Sequence, residues 1–193
     1  MQVTMLNDQQ LIACYLEGNE RAFEELLNRH QQKIYTSIYL FVKEQSLAED
    51  IFQEVFIKIV DTLRKGKYNH EGKFLQWAMR ISYNMCVDYF RRTKRRPQVA
   101  PTDTFDIFDV LHSSDDNAEQ HIIRSQTHDK VRHLIDMLPP EQREVVILRH
   151  YADMSFKEIA KLTRLSINTA LGRMRYALIN IRKMIEEKEA VLQ

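Results

Sequence analysis

Apolar residues recur along this chain at three- and four-residue intervals, in runs of helical length, and hardly ever in the strict alternation of strands. After Asn19, a candidate helix cap, Phe23, Leu26, Leu27, Ile34, Ile38 and Phe41 fall on one stripe, which predicts a long second helix. A short first helix precedes it, with Asp8 able to cap its start and Gly18 its end. Ser46-Leu47-Ala48-Glu49 has capping-box spacing and predicts a third helix through Ile51, Phe52, Val55, Phe56, Ile59, Val60 and Leu63. Lys65 to Lys73, with two glycines, Asn69 and His70, reads as a loop. A fourth helix begins near Phe74 and runs to a basic cluster at Arg91. A fifth is expected over roughly Ala118 to Met137. Pro139-Pro140 breaks it, and Pro140 suits the first turn of a sixth, Glu141 to His150.

Two more helices follow in close succession. Ser155 and Glu158 form a second capping-box pattern, and Ser166 is a further N-cap candidate only a few residues past the end of that helix. The spacing leaves room only for a sharp corner. In the second helix Ala170, Met174, Ala177, Leu178, Ile181 and Ile185 share an apolar face, and the opposite side offers Asn168, Thr169, Arg173 and Arg175. Small polar groups near a helix N-terminus with arginines behind them suit entry into a DNA major groove. The plain alternative is a helical hairpin with a solvated polar face.

Composition supports an all-α chain of two small domains. Of 193 residues 44% are hydrophobic, enough for real cores, and only 4 Gly and 4 Pro are present, too few for an all-β chain of tight turns. No apolar run reaches the length of a membrane span, so direct membrane insertion is not expected. The N-terminus lacks the basic-then-apolar pattern of a signal peptide, which points to a cytoplasmic protein. Cys14 and Cys86 sit inside apolar helical patterns and read as reduced core thiols. No His-Glu-x-x-His, Cys-x-x-Cys or Gly-rich phosphate loop occurs, so neither an enzyme, a metal site nor a cofactor is expected.

The net charge of +1 hides strong segregation. Arg91-Arg92-Thr93-Lys94-Arg95-Arg96 is basic at five of six positions, whereas Pro97 to Gln120 contains no Lys or Arg and carries Asp103, Asp106, Asp109, Asp115, Asp116 and Glu119. This switch, with Pro97 and Pro101 beside it, marks a boundary. The expected organisation is a helical domain over 1–96, a mobile acidic linker over 97–119, and a second helical domain with the helix-turn-helix over 120–193.

Two regions carry a resemblance to a known family. The first is Phe74-Leu75-Gln76-Trp77, then Arg80-Ile81-Ser82-Tyr83-Asn84, then Asp88-Tyr89-Phe90-Arg91-Arg92, preceded by Ala48-Glu49-Asp50-Ile51-Phe52-Gln53-Glu54-Val55-Phe56. The second is Leu138-Pro139-Pro140-Glu141-Gln142-Arg143-Glu144-Val145 followed by the helix-turn-helix. Together they resemble bacterial RNA polymerase sigma factors of the small, two-domain extracytoplasmic-function class. One departure is visible: where that family often has Gly in the turn before the second helix, this chain has Arg164. Either Arg164 adopts a left-handed backbone or the turn takes another shape.

The resemblance implies a factor that binds core RNA polymerase and directs promoter-specific initiation; a stand-alone helix-turn-helix regulator is the alternative. It implies a core-polymerase contact at Asp50, Gln53, Glu54 and Phe56, although first-turn carboxylates facing the helix dipole would look the same. It implies minus-ten DNA contacts at Lys73, Trp77, Arg80, Asn84, Asp88, Arg91, Arg92, Arg95 and Arg96. Among these, Trp77 reads as core first, and Asn84 can pair with a base edge or simply lie at the surface. The loop Lys67 to Lys73 would close a pocket for a flipped base, with Tyr68, Asn69 and His70 as its stacking and polar groups. The arginines read as phosphate contacts, giving affinity and not sequence choice. In the second domain Ser166, Asn168, Thr169 and Arg173 are expected to read the minus-thirty-five element, with Lys157 and Arg175 on the DNA backbone. The implied partners are core RNA polymerase, promoter DNA and an anti-sigma factor. The linker either threads into a nucleic-acid channel of the polymerase or serves as a tether.

Overall fold

The computed structural model describes residues 3–69, 72–93 and 130–191. Among them every regular element is helical, as the periodicity predicts. A 3-10 turn at Val3–Met5 leads to α1 (Asp8–Leu16), α2 (Glu20–Val42), α3 (Gln45–Arg64) and α4 (Phe74–Thr93). Residues 130–136 are helical and are called α5; α6 (Pro140–His150), α7 (Phe156–Thr163) and α8 (Ile167–Val191) follow. The chain divides into two compact units, Met1–Phe105 and Asp106–Gln193. The expected linker, Lys94 to Arg96, His70 and the start of the fifth helix lie outside the described residues.

In the first unit α2 is the hub, packed by α1, α3 and α4. Leu11, Leu26, Ile34, Ile38, Leu40, Ile59 and Leu63 are fully buried around it, and each such side chain stabilises the fold by about 1.5–3 kcal/mol. The buried hydroxyls of Ser37 and Ser82 donate to the carbonyls of Ile34 (2.8 Å) and Ala78 (3.0 Å), so both are satisfied within their own helices. The N-terminal segment is tied down by Arg29. Its guanidinium donates to the carbonyls of Leu6 (2.6 Å) and Thr4 (2.8 Å) and pairs with Glu25 and Asp8. His30 holds Asp8 from the other side at 2.8 Å.

Local starts depart from the predicted caps in three places, each for a visible reason. Asn7, not Asp8, caps α1: it forms a full capping box with Gln10, which leaves Asp8 in the first turn for Arg29 and His30. Asn19 stands at the cap of α2 but makes no side-chain cap bond. The Ser46–Glu49 capping box does not form. Lys43 turns left-handed (φ 58°) and Glu44 is extended, so α3 is already under way at Gln45 and Ser46 lies inside it, bonded to Glu44 at 3.0 Å. Cys86 is buried as expected, whereas Cys14 is only half-buried. Burial pushes the Cys86 thiol up to about 12. Cys86 is therefore expected to resist alkylation in the native protein at neutral pH and to react fully after denaturation, as mass spectrometry of labelled protein would show. Equal labelling in both states would refute its burial.

The second unit closes around Ile135, Val145, Ile147, Leu148, Met154 and Ile159, with Ala170 and Ala177 letting α8 pack closely on α6 and α7. Pro140 occupies the first turn of α6, where its missing N–H costs nothing. Arg143 reaches back from α6 and donates to the Asp136 carbonyl at 3.0 Å, satisfying an orphan acceptor at the end of α5. The Ser155–Glu158 capping box forms as predicted. Ser166 caps α8 through the Thr169 N–H at 3.0 Å. Between them Arg164 takes the left-handed backbone (φ 60°, ψ 36°) that glycine would adopt freely. This costs about 1–2 kcal/mol, and the corner retains the expected sharp shape. The apolar face of α8 is narrower than predicted. Ala170 and Ala177 are buried, but Leu178 and Ile185 are exposed, because they lie about a quarter and a fifth of a turn off that line.

Candidate nucleic-acid interface

α4 buries Phe74, Leu75, Ala78, Met79, Ser82, Tyr83 and Cys86. At helical spacing the line opposite that core is Trp77, Arg80, Asn84, Asp88 and Arg91. All of these except half-buried Trp77 are exposed, and Arg92 lies at the edge of the line. The predicted residues thus share one outward stripe, with the Asn84 amide near its middle and arginines on either side. Asp88 stands 3.5 Å from Arg91, an exposed pair of small energetic weight.

One end of the stripe is aromatic. Tyr68, in the loop after α3, lies against Trp77 with ring centroids 4.4 Å apart, and Phe74 is 5.8 Å from Trp77. Trp77 is therefore neither a simple core residue nor a free platform: one face is used to seat the loop. Gly66 (φ 62°) and Gly72 (φ 71°) supply left-handed turns on either side of that loop. Lys73 is exposed at its end, next to the start of α4. Arg95 and Arg96 lie outside the described residues.

α3 carries Asp50, Gln53 and Glu54 on its exposed side. Phe56 is placed differently: it is half-buried, edge-on to Phe52 at 4.7 Å, and so flanks this surface. The residue that the sequence pattern missed is Ile57. It lies one turn beyond Gln53 and Glu54 and is 69% exposed. An isoleucine amid carboxylates and an amide gives the surface an apolar centre with a polar rim, the composition of a specific protein interface.

In the second unit Ser166, Asn168 and Thr169 are exposed at the start of α8, and Lys157 is exposed on α7. The hydroxyls of Ser166 and Thr169 lie 2.8 Å apart, so both serve the cap. Arg173 is not on the outward face. It points back to α6 and pairs with Glu144 at 3.3 Å. The outward face is Asn168, Leu171, Gly172 and Arg175, on the side away from Ala170 and Ala177. Farther along, Phe156, Leu171, Met174, Arg175, Leu178, Ile179 and Arg182 line an open groove of about 500 Å³. Among the described residues there is no cluster of potential metal ligands, and no helix is long and apolar enough to cross a membrane.

Comparison with known proteins finds relatives of both units. Residues 26–96 match the family described as Sigma-70 region 2, and residues 128–175 match Sigma-70 region 4. The chain is 29% identical over 176 residues to the RNA polymerase sigma-H factor of Pseudomonas aeruginosa, covering 89% of this chain and 90% of that protein. It is 27% identical over 188 residues to the ECF RNA polymerase sigma-E factor of Haemophilus influenzae, covering 95% of each. In fold it resembles the sigma factor RpoE of Bartonella quintana, solved with the anti-sigma factor NepR: the TM-score is 0.63 at 17% identity, over 85% of this chain and 96% of that one. CnrH, solved with the cytosolic domain of CnrY, gives a TM-score of 0.58 at 22% identity, over 93% and 97%. With both family regions in order and relatives matched over nearly their whole length, the chain belongs to the extracytoplasmic-function subfamily of bacterial RNA polymerase sigma factors.

Proposed function

We propose that this sigma factor divides its work between its two units. The first binds core RNA polymerase through α3 and engages the minus-ten element through α4; the second engages the minus-thirty-five element through α8. One observation carries the proposal: each unit turns a helix face with an asparagine and at least one arginine away from its own core, on α4 and on α8. Asparagine can pair with a base edge through its donor and acceptor, and arginine can neutralise phosphate or read guanine. The polymerase supplies the chemistry, and the factor supplies the address. Working with core polymerase places it in the cytoplasm, and an anti-sigma factor is the regulating partner expected for it. The experiment is transcription from purified core polymerase with and without the chain, followed by mapping of start sites. Association without promoter-specific starts would refute the proposal. Tight sequence-specific binding by the free chain would favour the stand-alone regulator.

Within the second unit the reading role passes from Arg173 to Arg175. Arg173 holds α8 on α6 through Glu144, and both partners are partly buried. Arg173→Ala is expected to lower the stability of this unit by about 1 kcal/mol and to weaken transcription alike from all promoters that need the upstream element. Thermal melting and a panel of single-base promoter variants check this. A changed preference at one base pair would return Arg173 to the reading face.

A further inference from the structure

Gly172 stands in the second turn of α8, between Asn168 and Arg175 on the outward face. Glycine is a poor choice in a helix interior, because it must give up the most backbone freedom to stay helical. Elsewhere in this chain the cause is visible: Gly18, Gly66 and Gly72 all have positive φ. Gly172 is not among the positive-φ glycines, and a Cβ at Gly172 would meet nothing within 4 Å. Neither backbone conformation nor packing inside the protein therefore calls for it. What a missing side chain provides at such a place is closeness to something outside the protein.

We propose that Gly172 is the position at which the α8 backbone lies directly against promoter DNA, and that Leu171 beside it reads a thymine. This deepens the proposal that α8 enters the major groove at the minus-thirty-five element, and rests on it. A helix with side chains is roughly 10–12 Å across, and the groove is about 12 Å wide and 8.5 Å deep. A helix that is to sit low in that groove needs one side without bulk. Gly172 provides it, between Asn168 one turn before and Arg175 one turn after. Leu171 is 44% exposed on the same face. It edges the apolar groove with Phe156 and Met174, and against the C5-methyl of thymine it makes a favourable and base-selective contact. The element read by α8 therefore contains an A·T pair flanked by the pairs that Asn168 and Arg175 reach.

The test uses the full chain with core polymerase on its own mapped promoter, with the upstream element intact or scrambled. Gly172→Ala and Gly172→Gln should hold or raise the melting temperature and leave core binding unchanged, since both residues favour helix over glycine. Transcription from the intact promoter should fall severalfold with Ala and about tenfold or more with Gln, because added bulk lifts α8 off the base edges. Transcription from the scrambled promoter should not change. Leu171→Ala should relax preference at one A·T pair only. If Gly172→Gln transcribes as well as the native chain while Asn168→Ala loses its dependence on the upstream element, the close approach at Gly172 is wrong and the reading of α8 stands. If Asn168→Ala and Arg175→Ala also leave that dependence intact, the reading of α8 itself falls, and this inference with it.

Discussion

Asp50→Arg combined with Glu54→Arg should weaken binding of the chain to core RNA polymerase on the order of a hundredfold while leaving its melting temperature almost unchanged. The asymmetry follows from where these residues sit. Both are exposed on α3, whereas the same helix buries Ile51, Val55, Ile59 and Leu63. Reversing two charges on a solvated face costs the fold little, usually within about 0.5 kcal/mol. Placing two like charges against a complementary surface costs several kcal/mol. Ile57→Asp should have a comparable effect for a different reason: it removes the apolar centre and leaves a carboxylate to be desolvated there. Binding measured by fluorescence anisotropy, beside thermal melting, decides the matter. Full affinity in the double variant would move the polymerase contact off α3.

Asn84→Ala and Asn168→Ala should each alter promoter selection, at positions that do not overlap. Removing the amide that pairs with a base edge, on either helix, should cost about 1–3 kcal/mol, roughly five- to 150-fold in transcription from the best promoter. Asn84 lies opposite the core of α4, in line with Trp77 and the Tyr68 loop, so its loss should act at the minus-ten element and on opening. Asn168 lies at the capped start of α8, so its loss should act at the minus-thirty-five element. The arginines beside Asn84 should behave differently. Arg91→Ala should weaken all promoters alike and flatten the salt dependence, as removal of a phosphate-neutralising charge does. A panel of single-base promoter variants transcribed with each protein separates these outcomes. Two asparagine variants shifting preference at the same positions would end the division of labour proposed here.

The helices, the capping box at Ser155 and the outward stripe of α4 are legible in the sequence because each depends on spacing within one element. Phe74, Arg80, Asn84 and Asp88 fall on their faces by arithmetic alone, whereas Trp77, which reads as core, is half-buried against the Tyr68 loop. What spacing does not show depends on neighbours. The pattern misplaces the α3 start at Ser46 because the left-handed turn at Lys43 sets the helix going earlier, and a left-handed lysine has no sequence signal. Arg173 looks like a reader from its position near the helix start, and only the packing of α8 on α6 brings Glu144 to it. Hydrophobicity alone assigns Leu178 and Ile185 to the core, while α8 fills its contact with α6 and α7 using smaller residues such as Ala170 and Ala177. Ile57 and Gly172 are visible as residues. Their meaning comes from exposure in one case and from empty space in the other.

The fastening of the N-terminal segment by Arg29 bears on how the chain folds as it is made. Arg29 reaches back 23 and 25 residues, to the carbonyls of Leu6 and Thr4. At a synthesis rate of about 5–20 residues per second, it leaves the ribosome only seconds after them. The first turn, α1 and the front half of α2 can then close as a local hairpin before α4 has been translated, and local closure of this kind is fast. The rest of α2 stays apolar and uncovered for longer. Ile34, Ile38 and Leu40 wait for α3 and α4, so the interval between finishing α2 and finishing α4 is when the nascent chain is most exposed to chaperones and to misassociation.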